Sequence, residues 1–297
     1  MHIALCGPCS PAYLSDLLHE DDAQHARTYP GLGGRPVADL ARGLRSGGHD
    51  VTIVTMPATP ADEPKVFRGH GLTILSVPAR HTRASRLDGY RTEARIMADA
   101  LQQVATDLVH AHWTYEFEWA AQLSRLPHVT TSHDCPTSIF RQMPDRTRLR
   151  RLLQATRLRA GISHLSAVSP YTADAWHAQM RYPRPIEVIP NSIPDDISST
   201  ARRPARTPTI LDIGDSTPRK NMKGLLQAFE IVRDATPSAV LRLVGPGLGP
   251  TDRMAKWAED VGLQDGVTFV GVLNRREIAQ ELSQAWLLAH ASLEEAC

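Results

Sequence analysis

Two adjacent cations, Arg219 and Lys220, stand between an apolar run that ends at Ile213 and a helical pattern that carries Leu225. Cations beside a helix N-terminus stabilise the negative charge of a diphosphate leaving group electrostatically, without the need for a divalent metal. Exposed surface charges with no ligand are the alternative interpretation. The pattern therefore indicates a candidate phosphate site.

Glycines form a second candidate phosphate site. Gly33 and Gly34 lie shortly before a predicted helix that opens near Pro36. Backbone N–H groups that lack a neighbouring Cβ can approach an anion at a helix N-terminus. A flexible glycine-rich turn explains the same residues equally well.

Two other patterns match redox or cofactor motifs only in part. Cys6 and Cys9 have the Cys-x-x-Cys spacing of thioredoxin-like proteins, but Pro11 follows them in place of a helical run. Gly245 and Gly247 belong to a series that differs from the G-x-G-x-x-G dinucleotide fingerprint. Neither redox chemistry nor a nicotinamide cofactor is therefore expected.

Three histidines lie in or after predicted strands. His133 directly follows a strand and is a candidate active-site residue, with a satisfied core histidine as the alternative. His110 and His112 are candidate metal ligands. We expect their rings to point to opposite faces of the sheet, which prevents joint ligation, so no metal site is predicted.

Composition excludes several classes of function. The 297 residues carry a formal net charge of +1, which argues against a nucleic-acid-binding domain. Four cysteines are too few for a disulfide scaffold and fit a reducing compartment. The sequence contains no apolar run of about 18 residues and no signal-peptide pattern at its start. These features predict a cytoplasmic protein.

Arginines dominate residues 141–159, where Asp145 is the one acidic residue. A helical spacing of i, i+3, i+4 and i+7 relates Leu149, Leu152, Leu153 and Thr156. The segment is predicted to form a basic amphipathic helix. We favour a solvated basic face with the apolar stripe in the core; the alternative is peripheral contact with anionic lipid at the inner membrane face, through the helix around Arg146 to Arg159.

Short apolar runs alternate with longer helical patterns along the chain, as is typical of parallel βαβ units. The first series of predicted strands is His2–Cys6, Val51–Thr55, Leu72–Val77, Leu108–Ala111, Val129–Ser132, Leu165–Val168 and Glu187–Ile189. The second series is Thr209–Ile213, Val240–Val244, Val267–Val270 and Trp286–Ala289. The sequence therefore predicts an α/β fold with two parallel sheets.

A polar segment at 196–207 separates the two series and is predicted to be a linker. It divides the chain into domains at 1–195 and 208–297, and the second is short for a sheet covered on both faces. The candidate residues follow predicted strands, so we expect them at the carboxyl edges of the two sheets, lining an interdomain cleft. Because the last strand is followed only by 292–297, we expect a sequence truncated at its C-terminus.

Short motifs recur in a fixed order along the chain. They occupy 33–52, 107–113, 131–134, 168–169, 188–191, 214, 219–221, 225–229, 244–247, 267–271 and 292–295. In this order and spacing, the chain resembles the family 4 (group 1) retaining glycosyltransferases. The resemblance implies the GT-B fold of two facing Rossmann-like domains, the second incomplete here.

The resemblance also implies roles for individual residues. Catalytic roles fall to His133, near the transferred sugar, and to Glu295, the first acid of a motif that holds the donor sugar. Contacts with the donor phosphates fall to Gly33, Gly34, Arg219 and Lys220. Contacts with the nucleotide or sugar fall to Asn191, Gly214, Gly245 and Gly271.

Three departures from the family pattern stand out. Asp215 occupies a position where the family commonly has arginine, so we expect Arg219 to take over the phosphate contact or donor affinity to be poor. Ser192 replaces a glycine after Asn191. The second glutamate of the donor motif would lie beyond Cys297.

The resemblance implies transfer of a sugar from a nucleotide-diphosphate sugar to an acceptor hydroxyl with retained anomeric configuration. The donor is a co-substrate, no cofactor or metal is expected, and the acceptor is a saccharide, a lipid-linked molecule or a small molecule. Two alternatives are a non-catalytic sugar- or nucleotide-binding fragment and a GT-B-fold sugar-nucleotide epimerase.

Overall fold

The first compact unit, Met1–Ser192, is built around an eight-stranded sheet. The protein is described by a computed structural model that covers residues 1–193 and 195–296. The strands are β1 (His2–Cys6), β2 (Asp50–Thr55), β3 (Lys65–Gly69), β4 (Leu72–Ser76), β5 (Leu108–His112), β6 (His128–Ser132), β7 (Leu165–Ala167) and β8 (Ile186–Val188). Their order is β3-β4-β2-β1-β5-β6-β7-β8, and all neighbouring pairs are parallel except β3 with β4.

Helices connect these strands. They are α1 (Glu20–Thr28), α2 (Arg35–Ser46), α3 (Thr82–Leu87), α4 (Arg91–Gln103), α5 (Glu116–Ser124), α6 (Pro136–Gln142), α7 (Arg146–Leu158) and α8 (Pro170–Ala178), with a 3₁₀ helix at Pro11–Leu17. Across residues 1–193 and 195–296, no helix combines the length and the apolar character needed to cross a membrane.

The second compact unit, Ile193–Glu295, has a parallel four-stranded sheet of order β11-β10-β9-β12. Its strands are β9 (Thr209–Ile213), β10 (Val240–Val244), β11 (Val267–Gly271) and β12 (Leu287–Leu288). Its helices are α9 (Asp195–Ser198), α10 (Met222–Ala235), α11 (Arg253–Asp260) and α12 (Arg275–Gln284), with a 3₁₀ helix at Pro218–Lys220.

The central strand β1 explains why the first sheet is covered on both faces. Leu5 packs with Ile53 on one side of the sheet, whereas Cys6 belongs to a separate cluster that contains Met97 on the other. Because successive side chains of a strand point to opposite faces, a strand buried on both sides reads as a continuous apolar run. This is the pattern that marked β1 in the sequence.

The structure confirms the predicted α/β fold with parallel sheets. Each of the eleven predicted strands is present, with ends that differ by at most one residue. The edge strand β3 was not predicted. It pairs with β4 through the tight turn at His70 and Gly71 and buries one large side chain, Phe67. One buried apolar residue leaves too little alternation for a sequence-based prediction.

Helix α7 confirms the predicted basic helix, but only part of its apolar stripe packs into the core as favoured. Leu149 is 42% exposed and Leu153 is 61% exposed. The side that packs into the core carries the buried Ala155 and Leu158 together with Leu152, the predicted stripe residue that is partly buried there. The helix is rotated so that two of the predicted core leucines lie among arginines on the outer face.

Helix α10 shows a smaller correction. Leu225, Leu226 and Phe229 are buried as their period predicts, but Val232 is 38% exposed. It lies in the last turn of the helix, where the end of the element leaves less of the core to cover it.

Candidate functional site

Each sheet has one point at which the order of the strands reverses. It lies between β1 and β5 in the first sheet and between β9 and β12 in the second. Open parallel sheets bind ligands outside the carboxyl ends of their strands at such points. Two groups of predicted site residues lie at these ends, one in each unit.

The predicted phosphate loop of the first unit is held by its backbone. The Ser10 N–H donates to the Gly33 carbonyl at 3.0 Å, and helix α2 begins at the next residue but one. Gly34 has φ of +80°, and a Cβ there would lie 1.7 Å from the Pro8 carbonyl oxygen, so only glycine fits. A Cβ at Gly33 would have no heavy atom within 4 Å. Gly34 therefore shapes the loop, while Gly33 leaves open space at the start of α2.

His133 lies in a cluster of aromatic rings at the ends of β5 and β6. Its Nε2 is 3.0 Å from Nδ1 of His112, and the Trp113 ring stacks on it with centroids 4.1 Å apart. Trp113 has φ of +64°, a conformation that is costly for a bulky residue. The His110 ring stacks on His112 at 4.3 Å, and its Nε2 is 2.7 Å from the Thr131 hydroxyl oxygen.

Burial keeps these imidazoles neutral. It lowers the pKa of His133 to about 4, with the nearby His110 acting in the same direction. Burial also lowers the pKa of His110 to about 4 and places that of His112 well below its usual value. At neutral pH, the contact between His112 and His133 therefore joins two uncharged rings, of which one donates and the other accepts.

The expectation that His110 and His112 point to opposite faces is wrong. Residues i and i+2 of a strand share a face, as the stacked rings show. Across residues 1–193 and 195–296, no three His, Cys, Asp or Glu side chains are grouped so as to hold a metal ion.

Two other sequence features lie apart from this cluster. Asn191 follows β8, which lies two strands from β6 in the order of the sheet. Cys6 and Cys9 are buried thiols. Burial raises the pKa of Cys9 to about 12 and raises that of Cys6 further, which is the reverse of a reactive redox thiol.

In the second unit, the structure brings three predicted glycines together at neighbouring strand ends. The Gly214 N–H donates to the Val244 carbonyl, and the Gly245 N–H donates to the Gly271 carbonyl at 2.8 Å. Gly245 has φ of +134°, and a Cβ there would lie 1.7 Å from the Gly214 carbonyl oxygen. The strand ends can approach one another only with a glycine at this position.

Arg219, Lys220 and Glu295 also come together. Lys220 Nζ forms an ion pair with Glu295, and Arg219 Nη1 lies 3.3 Å from the other Glu295 carboxylate oxygen. Arg219 also donates to the Glu294 carbonyl at 2.9 Å. Its own carbonyl accepts from the Leu293 N–H at 2.8 Å. These contacts fasten the loop after β9 to the segment after β12, across the reversal point.

The two adjacent glutamates have opposite pKa shifts. Burial raises the pKa of Glu294, whose side chain is 2% exposed, and the charge of Arg219 only partly opposes this. Burial acts in the same direction on Glu295, but hydrogen bonding to Lys220 and the charges of both cations outweigh it and lower its pKa. Glu295 therefore stays ionised beside the cations, while Glu294 holds its proton more tightly.

Asp215, which departs from the arginine expected from the resemblance, shapes the same loop. Its carboxylate accepts from the Thr217 N–H at 2.8 Å and from the Thr217 hydroxyl. This pattern orders the chain directly before the 3₁₀ helix that carries both cations. That Arg219 takes over a phosphate contact stays a prediction.

A buried pair that was not predicted from the sequence lies close to these cations. Asp212 is fully buried in β9, and its Oδ1 lies 2.9 Å from His290 Nδ1, just beyond β12. Burial raises the pKa of Asp212, with His290 and Lys220 opposing the shift. An acidic residue inside an apolar strand was the available signal, since such a group needs a partner.

Two family profiles together match residues 33–297 of the chain. The profile of Glycosyltransferase Family 4 matches residues 33–197, and the profile of Glycosyl transferases group 1 matches residues 195–297. A search of curated protein sequences found no significant match.

Similar solved structures share the fold at low sequence identity. Sucrose-phosphate synthase (tll1590) from Thermosynechococcus elongatus has a TM-score of 0.72 at 18% identity, over 100% of this chain and 77% of that one. Trehalose-6-phosphate from E. coli bound with UDP-2-fluoro glucose has a TM-score of 0.69 at 12% identity, over 99% and 79%. Anabaena Alr3699/HepE in complex with UDP and glucose has a TM-score of 0.58 at 18% identity, over 99% and 75%. These similarities confirm the predicted GT-B class of α/β fold.

Proposed function

Since the chain belongs to glycosyltransferase family 4, we propose that it transfers a sugar from a nucleotide-diphosphate sugar to an acceptor hydroxyl with retention of anomeric configuration. The observation that carries the proposal is the assembly of Arg219, Lys220 and Glu295 at the reversal point of the second sheet. The UDP bound to a structure of similar fold supports a nucleotide donor.

In the proposed reaction, the bond between the anomeric carbon and the diphosphate breaks as the acceptor oxygen approaches from the same face. Negative charge then accumulates on the departing diphosphate. Lys220, whose side chain is 15% exposed, and Arg219 are held in place before the donor arrives. Preorganised cations of this kind stabilise charge that develops in the transition state. As the new glycosidic bond forms, the proton of the acceptor hydroxyl passes to an oxygen of the leaving diphosphate.

We assign the first unit a complementary role in the same proposal. Gly33, at the start of α2, approaches a donor phosphate, and His133 contacts the transferred sugar. A neutral His133 suits this contact because an uncharged imidazole both donates and accepts hydrogen bonds. Because two side-chain cations meet the diphosphate, we propose that no divalent metal is needed.

The proposal is tested by incubating the chain with UDP-, GDP- and ADP-sugars, with and without a panel of acceptors, in EDTA and in magnesium. We expect the chain to release nucleotide from donors of one base only, at equal rates in EDTA and in magnesium. We expect NMR to show a product that keeps the anomeric configuration of the donor. Inverted product would contradict retention, and strict dependence on magnesium would contradict the metal-free proposal. A sugar-nucleotide isomer formed without acceptor would support an epimerase instead.

We further propose that α7 contacts an anionic membrane surface. Its exposed residues recur on one side of the helix, at Arg146, Leu149, Arg150, Leu153 and Arg157. Leucines among arginines suit the boundary between lipid head groups and acyl chains, where the cations meet anionic phosphates.

Binding to vesicles tests this surface. We expect the chain to sediment with phosphatidylglycerol vesicles and not with phosphatidylcholine vesicles, and Leu153→Gln to weaken binding about tenfold because one buried leucine is lost. Ile231→Gln is the matched control, since Ile231 is 71% exposed on α10 in the second unit. Equal weakening by both substitutions, or equal binding to both lipids, would refute the membrane contact.

A further inference from the structure

A cavity of about 350 Å³ lies within the first unit, beside the histidine cluster. Its wall includes Tyr90 at the start of α4, Trp113 after β5 and Asp134 after β6. Trp113 also stacks on His133 at 4.1 Å, so one indole ring separates the cavity from the predicted active-site histidine. The volume is in the range of small-molecule sites.

Arginines dominate the charge of this cavity. Arg86, Arg148 and Arg151 contribute to its wall, against one lining carboxylate, Asp134; of the three arginines, Arg148 forms an ion pair with Asp145 outside the wall. Within residues 1–193 and 195–296, no carboxylate forms an ion pair with the exposed Arg86. An arginine guanidinium has five N–H donors in a planar arrangement that matches a phosphate or carboxylate.

Arg151 is held in place but retains donor capacity. Its Nη2 lies 3.4 Å from a Glu116 carboxylate oxygen, at the long end of hydrogen-bond geometry. Its guanidinium carbon lies 4.6 Å from the centroid of the Tyr115 ring. The Tyr115 hydroxyl donates in turn to Asp134 at 3.1 Å. These contacts fix Arg151 and Asp134 relative to each other before any ligand binds.

Two aromatic residues of the wall have a strained backbone. Tyr90 has φ of +63° and Trp113 has φ of +64°, in the left-handed region that bulky residues rarely adopt. Residues held in such conformations cluster at ligand sites, because the surrounding structure must compensate for the strain. Flat aromatic faces beside hydrogen-bonding groups suit an amphipathic ring that is apolar on its faces and hydroxylated at its edges.

We propose that this cavity is the acceptor subsite and that it takes a sugar or cyclic polyol that carries an anionic group. The inference rests on the proposed glycosyltransferase function. The ring lies against the aromatic wall with its hydroxyls directed to Asp134, and Arg86 and Arg151 bind the anionic group. A phosphate ester and a carboxylate share this chemistry, and the test separates them.

The cavity is tested by calorimetry with four probes: glucose 6-phosphate, glucuronate, glucose and inorganic phosphate. We expect one of the two anionic sugars to bind at least about tenfold more tightly than glucose and inorganic phosphate, since only an anionic sugar combines charge-assisted hydrogen bonds to the arginines with contacts of its ring to the aromatic wall. Preference for glucose 6-phosphate identifies a phosphate ester, and preference for glucuronate identifies a carboxylate. If inorganic phosphate binds as tightly as either sugar, or if glucose does, the acceptor subsite is refuted.

Substitutions on one short helix locate the binding. Arg86→Gln is expected to lower the affinity for the preferred anionic sugar at least about tenfold. Arg83→Gln is the matched control, because Arg83 is also exposed on α3 but does not line the cavity. Equal affinities in the two variants would place the anion elsewhere and overturn the proposal.

A parallel titration with UDP separates this inference from the proposed donor chemistry. If the Arg86→Gln variant no longer binds the anionic sugar but still binds UDP, the result supports the acceptor subsite. An anionic sugar that competes with UDP for the same site would instead show that the cavity belongs to nucleotide binding, and would refute it.

Discussion

Replacement of Lys220 by alanine is expected to lower turnover of a nucleotide-sugar donor by about a hundredfold or more, mainly through kcat. The ammonium group is held by Glu295 beside Arg219 at the reversal point of the second sheet. Because charge on the diphosphate increases as the glycosidic bond breaks, a cation placed there stabilises the transition state more than the bound donor. Steady-state kinetics with the donor identified by the nucleotide panel measure the effect.

The matched control is Lys223→Ala. Lys223 lies three residues further on, in the first turn of α10, and its ammonium group stacks 4.5 Å from the centroid of the Trp257 ring. We expect this variant to retain the turnover of the parent chain, and Lys220→Arg to recover part of the loss. Unchanged kcat in Lys220→Ala would remove Lys220 from the proposed mechanism. A rise in KM alone would mean that it contributes only to ground-state binding.

Much of the fold was predictable because buried parallel strands have a simple pattern. In β1 and β9 the mainly apolar run, its length and the glycine that follows it are all local features of the sequence. The glycines at the ends of β9, β10 and β11 were predictable for the same reason, since the carboxyl ends of parallel strands share one edge of the sheet.

Contacts between distant residues were not predictable from local pattern. Asp212 and His290 are 78 positions apart, and His112 and His133 are 21 apart. Their pairing depends on the order of strands in each sheet and on register, neither of which periodicity specifies. The rotation of α7 is similar: a helical period fixes which residues share a side, but the neighbouring elements decide which side is buried.

The charged loops of the second unit show how the departure at Asp215 is accommodated. Asp215 orders the turn before the 3₁₀ helix through Thr217. Arg219 then lies against Glu294 and Glu295, with its carbonyl bonded to Leu293. An arginine at position 215 would not accept those hydrogen bonds. The aspartate that orders the loop therefore replaces one cation, while Arg219 places another cation on the same loop.

Replacement of His133 by alanine is expected to lower turnover by about a hundredfold or more, within the range for a side chain that acts directly on a reacting substrate. Its ring is fixed by the Trp113 stack and by the contact with His112. Substitution of His112 by phenylalanine keeps a ring for stacking on His110 but removes the hydrogen bond. Because His112 acts through His133, we expect a smaller loss, of about tenfold. His164→Ala, at an exposed position of the same unit, is the control.

The pH dependence of stability and of turnover tests the same histidine cluster. The direction of each expected change follows from the lowered pKa of His133. The folded-state pKa of His133 is about 4, against an ordinary value of 6.5, so the unfolded chain takes up a proton at a higher pH than the folded chain does. The free energy of unfolding should therefore fall as the pH decreases from about 6.5 to 4, and His133→Ala should reduce this fall. Turnover should not change through protonation of His133 between pH 8 and pH 6. An acid limb near pH 6.5 that disappears in His133→Ala would contradict a neutral, buried histidine at the site.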